Sequence, residues 1–200
     1  VFLHALALRS AGVRIRAVYD PDPERAEWLA GLTGARAVTT HENDAADVVA
    51  ICSPPALHAS QAEALARPGR ITFVEKPIAV TAAELARLAA LPGIVPILQW
   101  RAGRSAHALK AAFDAAIFGR RPRIACDFIL WRDAGYWSAK SEGAWPGGAL
   151  LSIGIHAVDL ILWCVGRPVV RATCTDTRLA GALALEFDDG TIADVRIRLA

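Results

Sequence analysis

The feature that most constrains the fold is an alternation within the first hundred residues, where short β-branched runs are separated by helices rich in alanine and leucine. This alternation is typical of a parallel, doubly wound sheet with helices on both faces. A parallel strand buried on both faces has a continuous apolar sequence, so we expect such a strand at residues 47–52. The other predicted elements are helix 1–11 ended by Gly12, strand 13–19, a helix capped by Asp22 and running to about Ala30, helix 56–66, strand 70–74, a helix opened by the capping box of Thr81 and Glu84 and running to about Ala90, and strand 94–98.

The second half has a different pattern. Its predicted elements are helix 105–117, strand 123–132, a glycine-rich loop 133–148, helix 149–164 and strands 168–175, 181–187 and 191–199. Asp189-Gly190 predicts a hairpin between the last two strands, and the last strand alternates apolar and charged residues as a half-buried strand does. We therefore predict two domains, 1–100 and 101–200, with a boundary near residues 99–103. The second would be an α+β domain with a mostly antiparallel open sheet.

Composition narrows the possible partners. The net charge is only +2, the basic residues are scattered, and no apolar run reaches the roughly 18 residues that cross a membrane. We therefore expect neither a nucleic acid nor a membrane as a partner. The four cysteines show no C-x-x-C spacing, which favours reduced core thiols, no metal site and a cytoplasmic setting.

The ends of the sequence lie inside predicted elements. The chain contains no methionine, opens at Val1 in an apolar, helix-like stretch and stops at Ala200 in or just after a strand pattern. We therefore expect it to be an internal part of a longer protein. The first strand of the sheet and a glycine-rich phosphate loop would then precede residue 1, because the opening helix is the one whose N-terminus should face a pyrophosphate.

Candidate site residues follow three predicted strands, at Asp20, at Ser53-Pro54-Pro55 and at Glu75-Lys76-Pro77. If the sheet is parallel, these residues meet at the carboxyl edge, where such sheets bind ligands. An acid at Asp20 would accept hydrogen bonds from a ribose and repel a 2′-phosphate, which favours NAD over NADP; the alternative is an ordinary Asp-Pro turn. The predicted cofactor contacts are Asp20, Cys52, Ser53, Pro54, Pro55, His58, Glu75, Lys76 and Pro77.

Lys76 is unusual because the chain has only three lysines among its 22 basic residues. A lysine in such a chain suggests a need for a compact ammonium whose pKa can be tuned, although a structural Lys–Glu pair is the alternative.

His156 lies on a predicted helix with Ser152 and Asp159, at a spacing that places all three on one face. A histidine can exchange protons near neutrality, as interconversion of an alcohol and a ketone requires, and Asp159 could orient its ring or cap a loop. Taken alone, His156 is more often a hydrogen-bonded core residue. The histidines at 4, 41, 58 and 107 are interpreted as surface or capping residues, with His58 opening a helix near the cofactor edge.

Three sequence tracts, in order along the chain, resemble the Gfo/Idh/MocA oxidoreductase family. They are Ile51-Cys52-Ser53-Pro54-Pro55-Ala56-Leu57-His58, Val74-Glu75-Lys76-Pro77-Ile78-Ala79 and the run from Gly147-Gly148 through His156 to Leu160. Each tract is weak alone, but three in register are specific. The resemblance extends from Asp20 to about Arg167.

The resemblance implies an N-terminal Rossmann domain, and a C-terminal domain whose open sheet is used for homo-oligomerisation. It further implies reversible hydride transfer between NAD(P) and a sugar, polyol or inositol-type substrate. Lys76 would contact the reacting oxygen, His156 would be the acid/base, and the bond before Pro77 would be cis. Many family members carry an acid where this chain has Ser152, so either the Lys–His pair suffices or Ser152 only positions substrate.

Aromatic and arginine side chains from the second domain flank the predicted cleft and could stack on or bind a sugar, although Trp131 fits inter-domain packing equally well. They are Trp100, Arg101, Trp131, Arg132, Tyr136 and Trp137. The predicted substrate contacts are Lys76, Arg101, Trp131, Arg132, Tyr136, Ser152, His156 and Asp159. The main alternative function is a non-catalytic nucleotide- or sugar-binding regulator of the same fold, and a third is an inactive gene remnant.

Overall fold

The computed structural model describes residues 2–40, 45–131 and 147–199. The first half contains α1 (Phe2–Ser10), β1 (Ala17–Val18), α2 (Pro23–Thr33), β2 (Arg36–Ala37), β3 (Val48–Ile51), α3 (His58–Leu65), β4 (Ile71–Val74), α4 (Ala82–Ala89) and β5 (Ile94–Pro96). The second half contains α5 (Arg104–Asp114), β6 (Arg123–Leu130), α6 (Ile155–Val165), β7 (Val169–Asp176), β8 (Ala180–Phe187) and β9 (Ile192–Leu199). Two 3₁₀ turns span Pro55–Leu57 and Gln99–Ala102, and a π-helical turn, Leu150–Gly154, precedes α6.

Strand pairing in the first half is parallel, as predicted. β1 pairs with β2, and β4 lies between β3 and β5. The predicted helix caps are also present: the Asp22 side chain accepts a hydrogen bond from the backbone N–H of Glu24, and Thr81 and Glu84 form a reciprocal capping box.

Two predictions for this half differ from what the described residues show. The strand expected over residues 13–19 is paired only at Ala17–Val18, and its short partner β2 was not predicted. The strand expected to be buried on both faces pairs only with β4 among the described residues, and its burial alternates: Ile51 packs into the core, whereas the Val48 side chain is 41% exposed.

The second sheet has the order β6-β9-β8-β7 and is mostly antiparallel, as predicted; only the β6–β9 pair is parallel. α6 packs on one face through Ala157 and Ile161, which contact the buried side chains of β9. The hairpin predicted at Asp189-Gly190 joins β8 to β9, and Gly190 adopts a φ of 86° there. On the opposite face Ile129 is 75% exposed.

All four cysteines are free thiols. Cys164 is buried and Cys52 and Cys126 are half-buried, but Cys174 is exposed on β7, so the prediction of a core position is wrong for that residue. Among the described residues, no cluster of three or more histidine, cysteine, aspartate or glutamate side chains could hold a metal ion. Within the same residues, no helix is both long and apolar enough to span a membrane.

Candidate active site

The loops that follow β3 and β4 are joined by a buried histidine. His58, at the start of α3, is 1% exposed. Its Nδ1 lies 2.7 Å from the carbonyl oxygen of Pro77, and its Nε2 lies 2.8 Å from that of Ser53. The interpretation of His58 as a surface or capping residue is therefore wrong.

The loop after β4 is also tied to α1. One carboxylate oxygen of Glu75 lies 2.6 Å from Nε2 of His4, and the other accepts a hydrogen bond from the backbone N–H of Lys76 at 2.9 Å. The peptide bond between Lys76 and Pro77 is cis, as the family resemblance implies. Glu75 therefore fixes the backbone from which the lysine side chain extends.

The Lys76 side chain reaches from the first half of the chain to the second. Its Nζ donates a hydrogen bond to the carbonyl oxygen of Ser152. Ser152 lies in the π-helical turn, and His156 follows it on the same helical run. The structure therefore brings the ammonium to the turn that precedes the imidazole.

The start of this helical run is set by a carboxylate from β7. Asp176 accepts hydrogen bonds from the backbone N–H groups of Gly148, at 3.2 Å, and Leu150, at 2.9 Å. A Cβ on Gly148 would lie 2.3 Å from the Asp176 carboxylate, so only glycine allows this close approach. This close approach explains why the second residue of the Gly147-Gly148 pair is a glycine: its backbone lies against the carboxylate that caps the helical run carrying His156.

The His156 ring is 7% exposed, and burial lowers its pKa below the ordinary value. The nearby Lys76 charge lowers the pKa further, while Glu75 and Asp159 act in the opposite direction. Within residues 2–40, 45–131 and 147–199, its buried Nδ1 has no hydrogen-bond partner. The imidazole is therefore biased towards its neutral, proton-accepting form.

Asp159 does not orient the imidazole. Its two carboxylate oxygens accept hydrogen bonds from Nε and Nη2 of Arg101, forming a bidentate pair. Instead, Trp100, the neighbour of Arg101, stacks on His156 with ring centroids 5.3 Å apart and planes inclined by 19°.

The remaining cofactor-edge candidates have structural contacts. Asp20 follows β1, and its Oδ1 accepts a hydrogen bond from the backbone N–H of Asp22 at 2.9 Å, so the turn alternative is also realised. The Ser53 hydroxyl donates to the side-chain oxygen of Gln61 at 2.6 Å. Burial raises the pKa of the half-buried Cys52 thiol, which keeps it protonated.

Of three further substrate candidates, the structure describes only Trp131. Trp131 is 72% exposed, and it follows Ile129 at the alternate spacing that faces away from the core under α6. Arg132 and Tyr136 lie outside the described residues.

Two sequence models of one family match this chain. The model described as "Oxidoreductase family, NAD-binding Rossmann fold" matches residues 1–92, and the family's C-terminal domain model matches residues 106–199. The chain belongs to the Gfo/Idh/MocA oxidoreductase family. Its fold is the Rossmann-type α/β fold followed by a mostly antiparallel sheet, and the cofactor of this fold is NAD.

Three known proteins are similar to this chain over most of its length. Inositol 2-dehydrogenase 2 of Saccharopolyspora erythraea is 29% identical over 98% of the chain and 62% of its own length. A putative UDP-kanosamine synthase oxidoreductase subunit of Amycolatopsis mediterranei is 31% identical over 86% of the chain and 51% of its own length. The crystal structure of the WlbA dehydrogenase of Bordetella pertussis, in complex with NADH and UDP-GlcNAcA, superposes with a TM-score of 0.87 at 24% identity, covering 98% of the chain and 62% of WlbA. The chain thus spans half to two thirds of the length of these relatives.

Three contacts of the Gfo/Idh/MocA site were not foreseen from sequence. They are the His4–Glu75 contact, the capping of Gly148 by Asp176 and the stacking of Trp100 on His156. The sequence does mark Trp100-Arg101 as an aromatic–cation pair at the inter-domain boundary, but it predicts contact with a sugar rather than with a histidine and an aspartate.

Proposed function

We propose that the protein is an NAD-dependent dehydrogenase that interconverts a hydroxyl and a carbonyl group on a sugar, polyol or inositol-type substrate. The observation that carries this proposal is the hydrogen bond from Lys76 Nζ to the carbonyl of Ser152, on the turn before His156. A fixed ammonium beside an imidazole biased towards its neutral form is the pair of groups that alcohol oxidation needs.

In the oxidation direction, the imidazole of His156 accepts the proton of the substrate hydroxyl. The Lys76 ammonium donates a hydrogen bond to the same oxygen and stabilises the negative charge that develops on it. In the reduction direction, the imidazolium of His156 returns the proton to the carbonyl oxygen. NAD, when bound, supplies the hydride acceptor.

The residues at the strand ends fit this cofactor. Asp20 lies at the carboxyl end of a parallel strand, where a carboxylate can accept hydrogen bonds from ribose hydroxyls and repels a 2′-phosphate. We propose Cys52, Ser53, Pro54, Pro55, His58, Glu75 and Pro77 as the rest of the cofactor edge. His58 would contribute through the two carbonyls it holds, since both ring nitrogens are engaged.

For the substrate, we propose contacts with Lys76, Ser152 and His156, and with the Arg101–Asp159 pair beside them. The similarity to an inositol 2-dehydrogenase supports a polyhydroxylated ring as the substrate. Arg132, Tyr136 and Trp131 remain predictions, and the exposed position of Trp131 next to Ile129 fits a partner surface better.

Two coarser proposals accompany this function. The apolar residues Ile129 and Trp131 on the outer face of the second sheet support homo-oligomerisation through that face. The four free thiols support a reducing, cytoplasmic setting.

The test is an assay of NADH formation by the purified protein with a panel of inositols, sugars and sugar nucleotides. We expect turnover, and we expect H156N and K76M each to lower kcat/KM by about 100- to 10,000-fold, because each removes a group that acts in proton transfer or charge stabilisation. K110M is the matched lysine control, since Lys110 pairs with Asp114 at the surface of α5. Equal activity of H156N and the parent would refute the proposal.

The replacement of the expected acid by Ser152 favours one alternative function, a regulator that binds NAD or a sugar without turning it over. Calorimetric binding of NAD together with no NADH formation across the whole panel would identify such a protein.

A further inference from the structure

The His156 ring is buried without the hydrogen bond that usually fixes the orientation of a catalytic imidazole. In the described part of the chain its Nδ1 has no partner. The nearest candidate on its own helix, Asp159, is occupied by the guanidinium of Arg101. Among the described residues, we therefore look to packing for what orients the ring.

The packing partner is Trp100. Its ring lies nearly parallel to the imidazole, at a centroid distance of 5.3 Å and an interplanar angle of 19°. Trp100 is itself held by Phe128 on β6, with ring centroids 5.3 Å apart and an interplanar angle of 36°. The indole is thus placed between the second sheet and the histidine.

The backbone that carries Trp100 is anchored to the same helix. Trp100 and Arg101 are consecutive in the 3₁₀ turn Gln99–Ala102, and their partners His156 and Asp159 are three residues apart on α6. Residues three apart lie on one helical face, so this short turn holds one face of α6 at two successive positions. Arg101 also lies over the ring of Trp163, 5.9 Å from its centroid.

We propose that Trp100 is a positioning residue for His156: its π face fixes the plane of the imidazole and favours the protonated ring. The first effect follows from the stacked geometry, and the second from the attraction between a cation and the face of an indole. This inference rests on the proposed role of His156 as acid/base, and Trp100 needs no contact with substrate to fulfil it.

In the part of the chain that the structure describes, four charged groups lie near the stack. Lys76, after β4, disfavours the imidazolium, whereas Glu75, beside it, and Asp159, on α6, favour it. Arg101, on the 3₁₀ turn, is paired with Asp159. The indole face favours the imidazolium, as the two acids do. Its removal should therefore lower the pKa of His156, because burial and Lys76 would then be opposed by the two acids alone.

The experiment is an NMR titration of the His156 ring in the purified protein without substrate, with its signal assigned by its loss in H156N. In W100L we expect the titration midpoint to fall by about 0.5 pH units, the shift that a cation–π interaction of moderate strength supports. We expect kcat to fall by about 10- to 100-fold, as misplacement of a catalytic group does, with the KM for NAD unchanged. The acid limb of the pH–rate profile should move with the NMR midpoint.

Two further variants keep the test decisive. W100F retains a weaker π face and should show a smaller fall of the midpoint in the same direction, and it carries the test if W100L does not fold. W28L removes an exposed tryptophan of α2 and should change neither midpoint nor kcat. An unchanged or raised midpoint in W100L or W100F would overturn the inference. Because the titration needs no turnover, it is independent of the outcome of the activity assay, which tests the proposed function through H156N.

Discussion

The loops around His58 and the helical turn around His156 differ in how completely their polar atoms are paired. Both rings are buried, at 1% and 7% exposure. Both nitrogens of His58 contact backbone carbonyls, whereas Nδ1 of His156 has no partner in the described chain. Buried polar groups are normally satisfied, so the difference separates a histidine that holds two loops together from the one that we propose as the acid/base.

The largest effect on stability is expected at His58. H58L removes the ring nitrogens that contact the carbonyls of Ser53 and Pro77, so that the buried Pro77 carbonyl and the part-buried Ser53 carbonyl both lose this partner. We expect the free energy of unfolding to fall by about 2 to 5 kcal/mol, measured by denaturant titration. H156L, which leaves no such acceptor behind in the described residues, should change it by less than about 1 kcal/mol. H107L at an exposed position is the control, and equal losses in H58L and H156L would remove the distinction.

A smaller effect is expected where the His156 helix begins. G148A places a Cβ against the Asp176 carboxylate and displaces the cap, so we expect a loss of about 1 to 3 kcal/mol and a fall in kcat. G31A in α2 is the matched control, because a Cβ there meets nothing within 4 Å and alanine is the better helix former. It should stabilise the protein by up to about 1 kcal/mol. If G148A gained stability as G31A does, Asp176 would not set the helix start.

The smallest effect is expected from pH. The folded state lowers the pKa of His156, so between the lowered and the ordinary value the unfolded chain binds more protons than the folded one. Stability should therefore rise with pH across that interval and be lost as pH falls through it. Comparison of the pH dependence of unfolding in the parent and H156N isolates this contribution. If the parent instead gained stability relative to H156N on acidification, folding would raise the pKa of His156, contrary to this prediction.

Most of the architecture could be predicted from the sequence because it depends on local patterns. The cap at Asp22, the capping box at Thr81 and the hairpin at Gly190 are each specified by a few adjacent residues. The alternating burial of β3 could not be predicted in this way. Val48 and Ile51 are similarly apolar, and only the neighbouring elements decide which of them is covered.

In the candidate site, too, the features set by local sequence could be predicted, and those set by distant contacts could not. Lys76 stood out because lysine is rare in this chain, and His156 because of its motif, and the structure brings Lys76 to the turn before His156. The partners of these residues depend on contacts between distant segments. Trp100 and His156 are far apart in sequence, and no local pattern distinguishes a tryptophan that stacks on a histidine from one that stacks on a sugar.

The contact between Lys76 and Ser152 has a consequence for how a ligand enters. An ammonium has three N–H groups on one atom, so Lys76 can keep the carbonyl while offering another hydrogen to an incoming oxygen. Under the proposed function, a substrate oxygen would therefore approach an ammonium whose position is already fixed by the carbonyl of Ser152. A planar guanidinium has its donors in a rigid fork and would have to turn away from one oxygen to meet the other.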